Sequence, residues 1–450
     1  MVKRGRFTLI ATILGSSIAF IDGTVVNVAL PAIQRDLGGG LTAQQWIVDA
    51  YLLTLGSLIL VGGSLGDIFG ELRIFTLGVG SFGATSVLCA LAPTANTLIV
   101  FRGLQGVAGA LLIPASLAVI TSTFSGTERG AAIGTWTAWT GVSTVIGPLL
   151  GGWLIGISSW RVIFFLNVPI ALLTIAIALR LIPHREQRRA QLRVDFVGAL
   201  LCVAGLGGLV FGFIEQPRRG WASPTIAGTL AGGTLSLVAF VVWEMHAPVP
   251  MLPLRLFRLR NFSVANVETL AVYGGLYAWS FFVTLFLQQV TGYSPFRSGL
   301  ATLPVTIAFV SLSRFAGQWS MGVGPRFFMA AGPLIAGAST VALARLPAQL
   351  DYWTDLLPPL AGFAVGLALT VAPLTTTVLS EAGPGDAGVA SGVNNAVARV
   401  AGLVTIAVTG LVVANGARSL STHGFHRAML ITAVLVMAGG AIGAVGIRNP

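Results

Sequence analysis

Long apolar segments recur along almost the whole chain and are separated by short polar connections. A helix needs about 20 mostly apolar residues to cross the hydrocarbon core of a bilayer. Fourteen segments reach that length, at 7–30, 45–65, 73–93, 96–123, 131–157, 161–182, 195–215, 223–243, 262–288, 297–319, 326–346, 354–380, 387–414 and 427–447. The pattern therefore predicts an all-α polytopic membrane protein with fourteen transmembrane helices.

The composition supports this interpretation. Of the 450 residues, 55% are hydrophobic and only 9% are charged, and the mean hydropathy is +0.86. A soluble domain carries about 25% charged residues. The net charge of +11 comes from basic residues between the apolar segments, so it indicates membrane orientation and no nucleic-acid partner.

The basic residues are unequally divided between the two sets of connections. We assign fifteen to the side that carries the chain ends and seven to the other side. Because cytoplasmic connections are richer in Lys and Arg, this predicts that both termini are cytoplasmic and that the chain spans the cell inner (cytoplasmic) membrane many times. The basic start and the long first segment favour a spanning helix over a cleaved signal.

Two connections are long enough to act as linkers. Residues 184–193 are strongly basic, and residues 244–260 carry three prolines. We therefore predict an N-terminal six-helix bundle at 1–183, two extra helices with their flanking cytoplasmic linkers at 184–260, and a C-terminal six-helix bundle at 261–450.

Glycines suggest that the two bundles are repeats. Gly63, Gly70 and Gly78 recur 254 residues later, as Gly317, Gly324 and Gly332. Parallel repeats of six-helix bundles are typical of transporters, whose substrate sites lie near the membrane midplane.

Ionisable residues within spans are costly and are candidates for function. Asp22 interrupts the first span and is the foremost candidate for proton coupling, because burial disfavours its charged form. Arg102, in the fourth span, shares a helix face with Gln105 and needs an acidic partner, either Asp22 or Asp49. A purely structural ion pair is the alternative.

Other polar and aromatic residues have two interpretations each. Glu268 is a second candidate for proton coupling or a residue of the cytoplasmic headgroup region. Asp49 is expected either to make a structural hydrogen bond to the first helix or to contact the substrate. Arg399 is expected either to attract an anionic group or to pair with an acid. The candidates for the substrate cavity are Asn27, Asp49, Gln105, Trp136, Tyr273, Tyr277 and Arg399.

Two glycine-rich motifs are candidates for conformational change. In the fifth span, Gly147 and Gly151 share a face that lets another helix approach closely, and Pro148 is expected to bend the helix there. The members of this motif are Gly141, Gly147, Pro148, Gly151 and Gly152. The second motif, in the turn between spans two and three, comprises Gly63, Asp67, Gly70 and Arg73, which form either a breakable latch or a simple glycine turn.

Two motifs of nucleotide binding and metal-dependent catalysis are absent from the sequence, Gly-x-x-x-x-Gly-Lys-[Ser/Thr] and His-Glu-x-x-His. Its two cysteines, Cys89 and Cys202, lie in separate spans. We therefore expect no enzyme activity, no cofactor and no metal site.

These motifs together resemble the major facilitator superfamily, in particular its fourteen-helix drug:proton antiporter branch. The stretch from Asp22 to Pro31 is similar to the first-helix motif of that branch, and Gly63 to Arg73 to the cytoplasmic loop motif. Arg102 to Gly106 resembles the fourth-helix basic motif, and Gly141 to Gly152 the antiporter motif. Further similarity is carried by Trp221, Pro248, Pro250, Pro253, Gly388, Ser391, Gly392, Asn395 and Arg399.

The loop motif departs from the family pattern. Ile68, Glu71 and Leu72 stand where basic residues are usual, and Met321 replaces an acid in the second half. This weakens the expected latch and does not alter the expected fold.

The resemblance implies a proton-coupled exporter of amphipathic drugs or toxic small molecules that works as a monomer in the lipid bilayer. Its motifs imply that Asp22 carries the proton and that Arg102 is its electrostatic partner. The alternatives are a dedicated exporter of one metabolite or antibiotic, and a transporter-like receptor or scaffold that moves no substrate.

Overall fold

The computed structural model describes residues 3–182, 194–413 and 419–449. Within these ranges the regular structure is helical and no strand occurs. Fourteen helices in the described residues are long and apolar enough to cross a membrane, so the prediction of a fourteen-helix, all-α membrane protein is confirmed. The basic linker predicted at 184–193, and Arg418, lie outside the described residues.

The fourteen membrane helices are numbered here in chain order. They are α1 (Gly5–Leu37), α2 (Gly40–Phe69), α3 (Glu71–Ala90), α4 (Ala95–Thr123), α5 (Glu128–Ile157), α6 (Val162–Leu181), α7 (Phe196–Arg219), α8 (Pro224–His246), α9 (Arg260–Val290), α10 (Pro295–Val323), α11 (Pro325–Leu343), α12 (Tyr352–Gly383), α13 (Asp386–Val413) and α14 (Thr422–Gly446).

Several helices extend beyond the apolar segments that predict them. The first segment was expected to end at residue 30, whereas α1 continues to Leu37. It ends where Gly38, Gly39 and Gly40 adopt positive φ angles of 76°, 87° and 64°, a conformation that L side chains rarely adopt. The apolar segment therefore corresponds to the part of the helix within the hydrocarbon core. The glycines determine where the helix itself ends.

Capping defines the start of α12. The carboxylate of Asp351 accepts hydrogen bonds from the backbone N–H groups of Trp353 and Thr354 at 2.9 and 3.0 Å. The bonds from Thr354 hold the pKa of this exposed carboxyl below its ordinary value. At the other end, Gly383 has a φ of 72° and separates α12 from α13.

Contacts divide the chain into two compact units. Unit 1 comprises Met1–Gly39, Trp46–Gly207 and Gly233–Met251, and unit 2 comprises Gly40–Gln45, Gly208–Gly232 and Leu252–Pro450. The predicted domain boundaries near residues 183 and 260 stay predictions.

Each unit contains a tight turn made by one glycine. Gly70 joins α2 to α3 with a φ of 98°, and its N–H donates to the carbonyl of Gly66 at 3.0 Å. Gly324 joins α10 to α11 with a φ of 95°, and its N–H donates to the carbonyl of Ser320 at 2.9 Å. The second turn therefore reproduces the first, 254 residues later.

A close helix crossing recurs at the same spacing. A Cβ atom on Gly78 of α3 would lie 2.8 Å from the backbone nitrogen of Leu112 on α4. A Cβ atom on Gly332 of α11 would lie 2.7 Å from the carbonyl oxygen of Gly366 on α12. Residues 78 and 332, like residues 112 and 366, are separated by 254 positions. The glycine repeat seen in the sequence thus corresponds to two equivalent crossings.

We expect Gly78→Ala and Gly332→Ala each to lower the free energy of unfolding by about 1–3 kcal/mol, because the methyl group overpacks a backbone contact. Gly66→Ala is the matched control, since a Cβ atom there meets nothing within 4 Å. Thermal unfolding in detergent measures the unfolding temperatures of the three variants. Equal unfolding temperatures for Gly66→Ala and Gly78→Ala would contradict the assignment of Gly78 to a close crossing.

Candidate functional site

Asp22 lies fully buried in α1, within unit 1, and accepts hydrogen bonds from side chains of α4 and α6. Its Oδ2 atom accepts a hydrogen bond from Arg102 Nη1 of α4 at 2.5 Å. Its Oδ1 atom accepts from Gln105 Nε2 of α4 at 3.0 Å and from Asn167 Nδ2 of α6 at 3.3 Å. Of the two acids considered for Arg102, Asp22 is therefore the one in contact with it.

The Arg102 guanidinium is held on several sides. Besides Asp22, its Nη1 atom donates to Gln105 Oε1 at 2.6 Å, and its Nε atom donates to the carbonyl of Ile47 at 3.1 Å. The guanidinium carbon lies 4.3 Å from the centre of the Tyr51 ring of α2. Such contacts favour a cation in a water-poor environment.

Gln105 uses both ends of its amide. The Nε2 atom donates to Asp22 and also to Ser86 Oγ of α3, at 2.8 Å. The Oε1 atom accepts from Arg102 and from the thiol of Cys89, at an Oε1–Sγ distance of 3.6 Å. Arg102 therefore determines which way the Gln105 amide points.

Asn167 completes this group of side chains. Its Nδ2 atom donates to Asp22 and to Ser86 Oγ, the latter at 3.1 Å. We call the set Asp22, Ser86, Cys89, Arg102, Gln105 and Asn167 the Asp22 network. Ser86, Cys89 and Asn167 were not predicted as site residues. Asn167 is the detectable one, because it is an amide in an apolar span.

The network compensates for the burial of two charges. Removing an ion pair from water costs several kcal/mol per ion, and the pair is tolerated when additional hydrogen bonds satisfy it. Asp22 and Arg102 are at most 1% exposed, and together they carry no net charge. The carboxylate receives three donors, which stabilise its ionised form in this arrangement.

The turn of α1 that carries Asp22 also packs against the glycine-rich face of α5. A Cβ atom on Gly147 would lie 2.1 Å from Thr24 Oγ1 and 3.1 Å from the carbonyl of Ile21. A Cβ atom on Gly151 would lie 2.1 Å from a methyl group of Val25. Only a side-chain-free surface permits this approach, so α1 is packed tightly against α5 within one turn of Asp22.

Other members of the α5 motif have fewer contacts. Gly141 faces open space, with nothing within 4 Å of an added Cβ atom. Pro148 is half-buried and Gly152 is buried. Nearer the start of α5, Trp136 Nε1 donates to Ser16 Oγ of α1 at 2.9 Å. This candidate cavity residue therefore lies against α1.

Two further cavity candidates in unit 1 are buried. Asp49 of α2 is fully enclosed, and neither carboxylate oxygen has a hydrogen-bond partner among the described residues. Asn27 of α1 is 7% exposed. Asp49 therefore makes no structural hydrogen bond to α1 in this arrangement.

In the turn between α2 and α3, the glycines differ in their roles. Gly70 has the positive φ described above, whereas a Cβ atom on Gly63 would make only an ordinary contact, 3.8 Å from Pro114. The neighbouring Gly62 is the closely packed one, because a Cβ atom there would lie 1.9 Å from the carbonyl oxygen of Ala110. Asp67 and Arg73 are exposed.

In unit 2, Glu268 of α9 is fully buried, and both of its carboxyl oxygens have no hydrogen-bond partner among the described residues. A Cβ atom on Gly443 of α14 would lie 2.6 Å from Glu268 Oε2 and 2.7 Å from the carbonyl of Met329 of α11. Glu268 is therefore enclosed between three helices in this arrangement.

The remaining candidates lie on α9 and α13 of unit 2. Arg399 Nη1 donates to the hydroxyl of Tyr277, and both side chains are half-buried, as is Tyr273. Asn394 of α13 donates to Thr269 of α9 at 2.8 Å. This polar contact was not predicted, because neutral polar residues are common in membrane helices.

No group of three or more His, Cys, Asp or Glu side chains within the described ranges is placed to hold a metal ion.

Comparison with known proteins relates this arrangement to one family. The model of the Major Facilitator Superfamily matches residues 12–406. The puromycin resistance protein pur8 of Streptomyces alboniger is 36% identical over 424 residues, which cover 92% of this chain and 83% of that protein. The methylenomycin A resistance protein of Streptomyces coelicolor is 33% identical, covering 97% and 90%. The multidrug resistance protein Stp of Mycobacterium tuberculosis is 34% identical, covering 92% and 77%.

Solved structures agree at the level of the fold. A bacterial homologue of the human lysosomal transporter Spinster superposes with a TM-score of 0.69 at 18% identity, covering 99% of this chain and 97% of that one. The nucleoside transporter NupG superposes with a TM-score of 0.68 at 10% identity, covering 98% and 100%. The predicted fold is therefore confirmed.

We expect Arg102→Met to lower the free energy of unfolding by about 3–5 kcal/mol, because it leaves the Asp22 carboxylate buried without its countercharge. The double variant Asp22→Asn/Arg102→Met should recover most of this loss. Arg161→Met is the control, because Arg161 pairs with Asp36 at a partly exposed site, where a pair contributes about 1 kcal/mol or less. Denaturation in detergent measures the free energy of unfolding of the three variants. Equal losses for Arg102→Met and Arg161→Met would contradict the expectation.

Proposed function

The chain belongs to the Major Facilitator Superfamily, and from this premise we propose that it is a proton-coupled exporter of amphipathic drugs or toxic small molecules. Members of this superfamily move small molecules across membranes. The chain is a multi-pass membrane protein, and its named relatives include antibiotic and multidrug resistance proteins. The observation that carries the proposal is the fully buried ion pair between Asp22 and Arg102.

A buried ion pair offers a physical route to coupling. A proton that binds Asp22 removes the negative charge and leaves Arg102 with an uncompensated buried charge, which is costly. The protein lowers that cost by changing the surroundings of Arg102. Conversely, a conformation that supplies Arg102 with another partner favours protonation of Asp22. Proton binding and conformation are then linked in free energy.

The packing of α1 supports transmission of this change. Asp22 contacts α4 and α6, while Thr24 and Val25, two and three residues further along α1, contact Gly147 and Gly151 of α5. A close helix contact has little room to deform continuously, so a change at Asp22 shifts α1 against α5 or is resisted by that contact. We assign Gly147, Pro148 and Gly151 to this conformational role.

Glu268 is the second candidate for proton coupling. Its carboxyl group has no hydrogen-bond partner among the described residues, and a charged carboxylate in such a position is costly. We therefore propose that Glu268 is neutral in this arrangement and releases its proton only when water reaches it.

For the substrate, we propose contacts with aromatic and polar side chains. The candidates are Asn27, Asp49, Gln105, Trp136, Tyr273, Tyr277 and Arg399. The Arg399–Tyr277 pair combines a cation with an aromatic ring and suits a flat compound that carries acceptor groups. A dedicated exporter of one antibiotic is the second candidate function, because two relatives are named for resistance to a single compound.

The distribution of basic residues supports a bacterial cytoplasmic membrane with both termini in the cytoplasm. We further propose that the protein works as a monomer and has no catalytic activity.

We expect Asp22→Asn to abolish transport that is driven by a pH gradient, because the amide cannot take up and release a proton. The protein is reconstituted in liposomes, and the flux of a fluorescent cationic dye is followed after a pH gradient is imposed. Gradient-driven flux should fall roughly tenfold or more, whereas exchange of dye between equal concentrations should continue in a folded variant.

Asp36→Asn is the matched control, because Asp36 lies on the same helix and its side chain is 47% exposed. It should retain gradient-driven flux. If Asp22→Asn retains it as well and Glu268→Gln loses it, Glu268 is the coupling residue. If the wild type transports none of a broad panel of compounds, a dedicated exporter or a non-transporting role replaces the proposal.

We expect Gly147→Ala to slow gradient-driven transport by roughly tenfold or more, because an added methyl group displaces the turn of α1 that carries Asp22. Gly141→Ala is the control on the same helix, where the methyl group enters open space. The same liposome assay compares the two. Equal rates would remove Gly147 from the conformational motif.

A further inference from the structure

The hydrogen bonds around Asp22 suit only its ionised form. All three of its partners donate: Arg102 Nη1 to Oδ2, and Gln105 Nε2 and Asn167 Nδ2 to Oδ1. A protonated carboxyl group has one O–H that must find an acceptor. In the arrangement observed, neither oxygen of Asp22 faces an acceptor within the described network.

Arg102 cannot become an acceptor, because a guanidinium group only donates. Gln105 is held in its present orientation, since its Oε1 atom accepts from both Arg102 and Cys89. Turning its amide over would direct an NH₂ group at the guanidinium. Two of the three partners of Asp22 are therefore restricted to donating.

Asn167 is different, because half of its amide is unused. Its Oδ1 atom is buried and has no hydrogen-bond partner among the described residues, while its Nδ2 atom donates twice. The amide is planar and its two ends have nearly the same shape. A half-turn about the last side-chain bond therefore exchanges Oδ1 and Nδ2 without displacing neighbouring atoms.

Ser86 points to the same exchange. Its Oγ atom accepts from both Gln105 Nε2 and Asn167 Nδ2, which leaves its own hydroxyl hydrogen without a described acceptor. After the half-turn, Asn167 Oδ1 lies where Nδ2 now lies, about 3.1 Å from Ser86 Oγ and 3.3 Å from Asp22 Oδ1. It then accepts hydrogen bonds from both hydroxyl groups.

We propose that Asn167 is the positioning residue that stabilises both protonation states of Asp22, by donating to the carboxylate and, after its amide turns over, accepting from the protonated carboxyl group. The inference rests on the proposed role of Asp22 as a proton carrier. One O–H bond forms at Asp22 Oδ1 as one O–H bond of a hydronium ion breaks and leaves water, and no other covalent bond changes.

The other titratable groups near Asp22 come from three helices. They are Arg102 on α4, Cys89 on α3 and Tyr51 on α2. The α5 residues that pack against this part of α1 are Gly147 and Gly151, which do not titrate. Asn167 itself has no charge in either orientation, so it changes only hydrogen bonding.

The test is a pH titration of the Asp22 carboxyl group by infrared difference spectroscopy on the full-length protein. The carbonyl band of a protonated carboxyl group is assigned to Asp22 by its loss in Asp22→Asn. Asn167→Leu keeps the shape of the side chain and removes its hydrogen bonds. After the amide turns over, Oδ1 accepts two hydrogen bonds where it now has no described partner, so protonation of Asp22 should lower the frequency of the Asn167 amide carbonyl band. We expect this amide band to accompany the Asp22 carboxyl band in the wild-type difference spectrum and to be lost in Asn167→Leu.

The amide band distinguishes the alternatives. If Asn167 serves only as a donor, its Oδ1 atom gains no hydrogen bond when Asp22 is protonated, and no amide band accompanies the carboxyl band. If its role is packing alone, the amide band is absent as well. Either result overturns the inference while leaving the proposed function intact. A carboxyl band that persists unchanged in Asp22→Asn overturns the proton-carrier role of Asp22, and the inference with it.

A second pair of variants covers the case in which Asn167→Leu does not fold. Asn167→Thr and Asn167→Val have the same shape, and only the threonine hydroxyl can donate or accept by rotating. In the protonated state, the carbonyl band of Asp22 should lie at lower frequency in Asn167→Thr than in Asn167→Val, because only the threonine hydroxyl can accept the carboxyl O–H. Equal band positions for the two variants overturn the inference.

Discussion

A carboxylate and a guanidinium buried together in an apolar helix bundle impose the strongest constraint on this structure. Asp22 and Arg102 can remain charged only while they stay in contact, because neither is reached by water and burial of a single ion is far more costly than burial of a pair. The contact joins α1 to α4, and the neutral members of the network extend it to α3 and α6. The charges therefore determine how four helices are positioned.

The glycines of α5 make that positioning sensitive to small movements. Thr24 and Val25 lie within one turn of Asp22, and they contact Gly147 and Gly151 so closely that no side chain fits between the helices. Because α1 contacts its polar partners and the glycine face of α5 within the same turn, a shift of that turn at one contact also changes the other. This arrangement couples the charge state of one residue to the packing of a whole helix.

Most of the fold follows from the apolar pattern, because backbone groups in lipid must be satisfied within each helix and the bilayer sets its length. Asp22 and Arg102 were detectable because charges in spans are rare. Asn167 and Ser86 were not singled out, since uncharged polar residues cost less and are frequent in such helices. Their importance depends on how α3 and α6 are rotated about their axes, which the sequence does not reveal. The same limit explains why Gly63 was chosen where Gly62 makes the close contact.

A proton carrier must have two protonation states of similar free energy, and three fully buried acids, Asp22, Asp49 and Glu268, differ in how they meet this condition. Glu268 and Asp49 have no described hydrogen-bond partners for their carboxyl oxygens, so their ionised forms are strongly disfavoured in this arrangement. Asp22 has a cation and two amide donors, which support the ionised form. The balance at Asp22 therefore depends on whether its surroundings can also support the neutral form, and a reversible amide supplies that support without moving a helix. For Glu268 and Asp49 the balance requires entry of water, and so a larger rearrangement.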